Sequence, residues 1–220
     1  MIASTISPGA PHKRYLLWGN RYSGHAYKVR LALLLLGIEH EYRTVDVLQP
    51  REERDPAWQR VSPFGEVPVL ETDSGALVRS NAILLHLGRV HHALGWERNP
   101  DGVAQWLSWE ANRIGLSLAN LRFLTLLTSN TRHEAIPWLR ERLASDLATL
   151  DRHLSARSFL LDEQVSAADL ACAAYLLYCD LPEVDLTSYP AVSAWLDRFA
   201  ALPGWIDPGT AMRGDNPPDL

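Results

Sequence analysis

The sequence predicts an α/β domain followed by an all-α domain, and three observations carry that prediction. Strand and helix patterns alternate through Tyr15–Leu87. No strand pattern occurs beyond Pro100. Between them, Ser62–Leu87 (SPFGEVPVLETDSGALVRSNAILLHL) fits a turn, a hairpin and a helix start into one run. The order is βαβ, a short helical link, ββα, then helices only.

Tyr15-Leu16-Leu17-Trp18-Gly19 reads as a buried strand, and Asn20–His25 as a polar loop. Ala26–Leu36 carries enough apolar residues for a helix, with Gly37 at the position that ends one. His40–Val47 partly alternates, as a second strand does. Gln49–Pro56 is charged and broken by prolines, and Ala57–Val61 fits a short helix. Val67–Leu70 and Ala76–Val78 flank Asp73-Ser74-Gly75, a hairpin signal. Ser80 stands where an N-cap belongs, before Ala82–Leu87.

His91–Pro100 reads as a linker. Asp101–Thr128 is a long helical stretch, with Trp106, Trp109, Ile114, Leu118 and Leu121 recurring every three or four residues. Pro137–Leu154 is amphipathic, with Leu139, Leu143, Leu147 and Leu150 on one face. Ser166-Ala167-Ala168-Asp169 is a capping-box start for an apolar helix over Leu170–Cys179, and Pro190–Ala201 forms a shorter one. The predicted division is 13–93 for the α/β domain, 94–100 for the linker and 101–210 for the helical domain, with tails at 1–12 and 211–220.

The chain has 220 residues, 47% of them hydrophobic and 21% charged, an ordinary globular composition. A net charge of −5 argues against nucleic acid or an anionic membrane as partner. Leu31–Leu36 is apolar but too short to span a bilayer. The opening MIASTISPGAPHKR has no apolar core and is not read as a signal peptide. Cys172 and Cys179, two turns apart in one predicted helix, stand about 10 Å apart along its axis. That is too far for a disulfide, and two reduced thiols fit a cytoplasmic setting.

Pro68 lacks an N–H and belongs at an edge or at the first position of a strand. The backbone of Val67 is then available to an extended peptide-like ligand. The N–H groups that open the Ser80 helix form an anion site a few residues on. Together they would hold a small peptide bearing carboxylates.

PFGEVPVL followed by SNAILLHL resembles the N-terminal domain of the cytosolic glutathione transferases. Phe159-Leu160, Ser166–Ala171, Tyr189-Pro190-Ala191-Val192, Trp195-Leu196 and Pro203-Gly204 resemble the helical domain of the bacterial members. The resemblance covers roughly residues 14–208 and implies a thioredoxin-like domain joined to an all-helical one. It implies a cis Val67–Pro68 bond, pairing of the Val67 backbone with the cysteinyl part of glutathione, and a γ-glutamyl carboxylate at Ser80. In one respect the chain departs from the family pattern, which places an acid or glutamine before that serine to meet the ligand's ammonium group. Here the residue is Arg79, so Arg79 turns outward, another carboxylate serves, or the ligand differs.

The resemblance also implies a homodimer, a small and mostly apolar electrophile as second substrate, glutathione as co-substrate, and a role in detoxification. A glutathione-dependent isomerase and a weakly catalytic ligand carrier are the alternatives on the same fold. Ser23 in SGHAYKVR matches the serine that contacts sulfur in zeta-like and related bacterial classes. His25 is the rival and Tyr22 a third donor. Arg54 is the candidate for the glycine carboxylate, and Glu66 for the ligand backbone. Trp109 and Arg113 are candidates for the wall of the electrophile site. No metal cluster, phosphate loop or dinucleotide fingerprint stands out, and His91-His92 reads as a solvated pair.

Overall fold

β1 (Tyr15–Gly19) and β2 (His40–Thr44) pair in parallel around α1 (Gly24–Leu35). β3 (Val69–Thr72) runs antiparallel beside β1, and β4 (Gly75–Val78) closes the hairpin, so the sheet order is β2-β1-β3-β4. This computed structural model describes residues 15–178, 181 and 184–214. The tail at 1–12 and Cys179 lie outside them, so the Cys172–Cys179 spacing has no structural counterpart here.

Strand alternation sorts the side chains of the sheet. Tyr15, Leu17, Tyr42 and Leu70 join the main core with Ala26, Val29, Leu33, Ile83 and Leu87. Trp18, Val45, Trp58 and Val69 form a separate cluster beneath α2 (Pro56–Val61). α1 is buried along most of its length, Lys28 included. Gly37 takes φ 65° just past α1, a conformation that glycine adopts without steric cost. β2 stops at Thr44, three residues before the expected Val47. Val45 still donates to Gly19 O at 2.8 Å, but the chain then leaves the ladder.

α3 (Ser80–Val90) follows the hairpin, with Arg79 rather than Ser80 as its N-cap. Arg79 sits at φ 69°, which makes Ser80 the first helical residue and leaves its hydroxyl without a capping role. The linker is packed: Leu94 is buried and its carbonyl accepts from Ala167 N at 2.9 Å.

The expected long helix over Asp101–Thr128 is broken. α4 (Pro100–Asn112) ends at Arg113, whose ψ of −107° resets the phase before α5 (Ile114–Arg122). A wider helical turn, Phe123–Leu127, finishes the stretch. α6 (Ala135–Leu154) buries Leu139, Leu143, Leu147 and Leu150 as their spacing predicts. α7 (Ala167–Ala173) is shorter than expected. It starts in a reciprocal capping box in which the Asp169 carboxylate accepts from Ser166 N, Ser166 Oγ, Leu160 N and Trp195 Nε1. α8 (Pro190–Ala200) and the four-residue α9 (Pro208–Ala211) complete the fold, and α9 reaches into the expected tail. Among the described residues, no helix is long and apolar enough to cross a membrane.

Candidate active site

A cleft of about 640 Å³ opens between the mouth of α1, the turn before β3, the start of α3, and α4–α5. Tyr22, Ser23, His25, Glu66, Val67, Pro68, Arg79 and Ser80 all line it. Most residues singled out in the sequence therefore meet in one cavity.

Asn20 shapes the sulfur-side loop. It is buried, its Nδ2 donates to Val45 O at 2.7 Å, and its Oδ1 accepts from Tyr22 N at 2.9 Å. Its carbonyl accepts from Ser23 N at 2.9 Å. Ser23 caps α1: its Oγ accepts from Ala26 N at 3.1 Å, and its own O–H, within reach of the Tyr175 oxygen, is the donor the loop offers. The positive end of α1 and a hydroxyl thus face the same cavity.

The helical domain clasps this loop. Arg122, itself buried, donates from Nη1 to Tyr22 O at 2.7 Å, and Tyr178 donates to Arg21 O at 3.1 Å. The Arg122 guanidinium lies 4.2 Å from the Tyr178 ring centre and 5.4 Å from that of Tyr175. Tyr175 reaches the cleft from just beyond α7.

Val67–Pro68 is a cis peptide bond. β3 is an inner strand, so the proline is tolerated because it precedes the first paired residue, Val69, and not because the strand is an edge. Val67 lies beyond the paired register, and no backbone hydrogen bond to it occurs among the described residues. Ser62 Oγ donates to Glu66 O at 3.0 Å and fixes the turn that presents it.

Arg79 pairs with the carboxylate of Glu66, and both side chains are more than half exposed at the rim. The cation before Ser80 is therefore matched by an acid of the same cleft.

Beneath the cleft lies a buried polar network invisible to pattern reading. Lys28 Nζ stands 2.6 Å from Asn81 Oδ1 and 3.1 Å from Glu110 Oε1. Asn81 Nδ2 donates to Glu110 Oε2 and to Leu107 O, each at 2.8 Å. α1, α3 and α4 are thus joined through three polar side chains. Burial lowers the Lys28 pKa, and Glu110 opposes that shift. His25 Nδ1 lies 4.0 Å from Glu110 Oε1. Burial first, then Lys28 and Arg79, hold the His25 imidazole well below its ordinary pKa.

Three predicted residues do not line the cleft. Arg54 donates to the carbonyls of Val47, Gln49 and Gly65, so its guanidinium staples a loop instead of facing a carboxylate. Arg113 points away to the fully buried Asp146, with Nη2–Oδ1 at 2.7 Å. Trp109 packs edge-on against Trp106 at 5.3 Å. The α-helical wall is instead made by Ala111, Gly115, Leu116, Ala119, Asn120 and Phe123. Late α4 contributes Ala111 and the buried Glu110, and past the break at Arg113 the face of α5 carries the rest.

His91 and His92 have protein partners, Tyr15 Oη at 2.9 Å and Glu97 Oε1 at 2.5 Å. Among the described residues, no group of three or more His, Cys, Asp or Glu side chains is placed to hold a metal ion.

Comparison with known proteins identifies the family. Residues 22–90 match the model of the glutathione S-transferase N-terminal domain, and residues 118–198 that of the C-terminal domain. A glutathione S-transferase structure from Pseudomonas fluorescens is 32% identical, superposes with a TM-score of 0.80, and covers 88% of this chain and 98% of its own. One from Xanthobacter autotrophicus is also 32% identical, with a TM-score of 0.77 and coverage of 87% and 95%. The maleylacetoacetate isomerase of Rattus norvegicus is 24% identical over 204 residues, 90% of this chain and 93% of that protein. Both halves of the sequence place this chain in the glutathione S-transferase family.

Proposed function

We propose that the protein activates the thiol of glutathione as a thiolate at the mouth of α1 and directs it onto a small, mostly apolar electrophile. A free thiol titrates near 8.5, and only the thiolate attacks. Each unit of depression requires about 1.4 kcal/mol of preferential stabilisation of the anion. Ser23 gives its O–H to the sulfur while the first N–H groups of α1 supply positive potential. His25, held neutral, and Tyr22 are secondary donors at the same mouth.

The cysteinyl backbone of glutathione pairs with Val67 beside Pro68, and the γ-glutamyl carboxylate docks on the N-terminus of α3 at Ser80. Glu66 offsets Arg79, so the ligand's ammonium group meets no net repulsion there. The electrophile lies against Leu116, Ala119 and Phe123. The working unit in this reading is a cytoplasmic homodimer that serves detoxification.

The observation that carries this reading is the convergence of Ser23, the open backbone of Val67 and the start of α3 on one cleft. Retention on immobilised glutathione, with ultraviolet titration of the bound thiol, tests it. Wild-type protein retains and shows a lowered thiol pKa, and Ser23→Ala raises that pKa. An unchanged titration in Ser23→Ala removes Ser23 from the sulfur contact.

Glutathione-dependent isomerisation is the second reading, favoured by similarity to the rat maleylacetoacetate isomerase. In that chemistry the thiolate adds to the substrate and is later expelled, so glutathione is not consumed. Assay of maleylacetoacetate beside a chloronitroaromatic electrophile separates the two.

A further inference from the structure

We infer that Tyr175, delivered by the helical domain, is a further hydrogen-bond donor to the glutathione sulfur and acts together with Ser23. The inference rests on the reading above, in which that sulfur lies at the mouth of α1.

Tyr175 lines the cleft beside Tyr22, Ser23 and His25. It is seated against the loop: a Cβ added to Gly24 would fall 2.6 Å from Cγ and Cδ1 of the Tyr175 ring. Real Cβ atoms do not approach so closely, so the glycine between Ser23 and His25 is what admits the ring. The His25 imidazole meets the same ring edge-on at 5.0 Å. Arg122 holds the loop to the helical domain through Tyr22 O while its guanidinium covers the ring face. The ring is therefore fixed on three sides, and the fixture spans both domains.

The chemistry of the phenol suits a donor. Burial pushes its pKa up to about 12, with Arg122, the His25 backbone N–H and the Ser23 side chain opposing that shift. At neutral pH the oxygen keeps its proton. A protonated phenol can donate to a thiolate but cannot compete with it as an anion. Two hydroxyls and a helix N-terminus then share the stabilisation of one negative charge.

The test is Tyr175→Phe, which preserves the ring against Gly24 and removes only the hydroxyl. Bound-thiol pKa, kcat and affinity for S-methylglutathione are measured beside wild type and Ser23→Ala. A charge-assisted hydrogen bond corresponds to a rise of about one to two units in thiol pKa and roughly a tenfold fall in kcat. Affinity for S-methylglutathione, which has no ionisable thiol, stays within about twofold. If Tyr175→Phe leaves the thiol pKa unchanged while Ser23→Ala raises it, Tyr175 is not a sulfur donor and the glutathione reading stands. If Tyr175→Phe loses S-methylglutathione affinity in step with kcat, its role is structural and the inference is overturned. Wild-type protein that neither binds glutathione nor lowers its thiol pKa overturns both.

Discussion

Lys28 Nζ lies 3.1 Å from Glu110 Oε1, and each side chain is only 1% exposed. The pair joins α1 of the sheet domain to α4 of the helical domain directly under the cleft. Two charges taken out of water cost heavily, and their attraction offsets that cost only while both are present. Asn81 supplies further bonds to each.

Removing one member is therefore worse than removing both. Lys28→Met strands the Glu110 carboxylate and lowers unfolding free energy by about 3–5 kcal/mol. The double variant Lys28→Met/Glu110→Leu recovers most of that loss. Urea unfolding of the three proteins measures it. Equal destabilisation by the single and double changes would show that the pair is not coupled.

This network also explains what could be read from the sequence and what could not. The turn at Gly37 and the capping box at Ser166–Asp169 have local signatures, and the structure has both; the cis Val67–Pro68 bond, also present, is implied only by the resemblance of PFGEVPVL to the family. Lys28 and Glu110 have none, because one charged residue in a helix usually faces water and only the tertiary fold buries it. Trp109 and Arg113 are read as wall residues from their type on a stretch that reads as one helix, and residue type does not say that Trp109 turns to Trp106 and Arg113 to Asp146. A single ψ of −107° at Arg113 shifts the phase of everything after it. The inward side chains Tyr175 and Arg122 come from elements about a hundred residues or more from the loop they clasp. No spacing rule reaches that far.

The His25 imidazole should titrate below its ordinary value. Burial is the main cause, followed by the cations Lys28 and Arg79. The unfolded chain then binds a proton that the folded chain resists. Below about pH 6.5 the His25 contribution to stability is lost progressively as pH falls toward the folded pKa. An NMR titration of the ring against His25→Gln as the assignment control measures it. Arg79→Gln, which removes one cation without disturbing the core, moves the His25 pKa upward. A value at or above 6.5 in wild type would contradict the burial of Nδ1 beside Glu110.

Glu66 and Arg79 form a rim pair, and exposed pairs contribute about 0.2–1 kcal/mol at most. Glu66→Gln therefore leaves the melting temperature nearly unchanged. In the proposed binding mode it leaves Arg79 unmatched beside the ligand's ammonium group, so glutathione KM rises roughly two- to fivefold at low salt. The increase shrinks as salt screens it. Adding Arg79→Gln to that variant restores KM. An unchanged KM for Glu66→Gln across the salt series would show that Arg79 does not face the ligand.

Arg113 and Ala119 make a contrasting pair for the electrophile wall. Arg113 holds the fully buried Asp146, whose pKa burial raises and whose ionised form Arg113 supports. Arg113→Ala removes the cation hydrogen-bonded to that carboxylate, leaving only the weaker field of Arg142, and costs about 3 kcal/mol of stability. The electrophile preference of the protein that remains folded does not change, since this side chain lies outside the cleft. Ala119 lines it. Ala119→Phe fills part of the wall, so kcat/KM falls more for a bulky aromatic electrophile than for a small one. The bound-thiol pKa stays at its wild-type value because the change adds and removes no charge or hydrogen-bond donor. Turnover of one bulky and one small electrophile, measured for both variants, separates the two roles. A selectivity change in Arg113→Ala, or none in Ala119→Phe, would move the wall from α5 to Arg113.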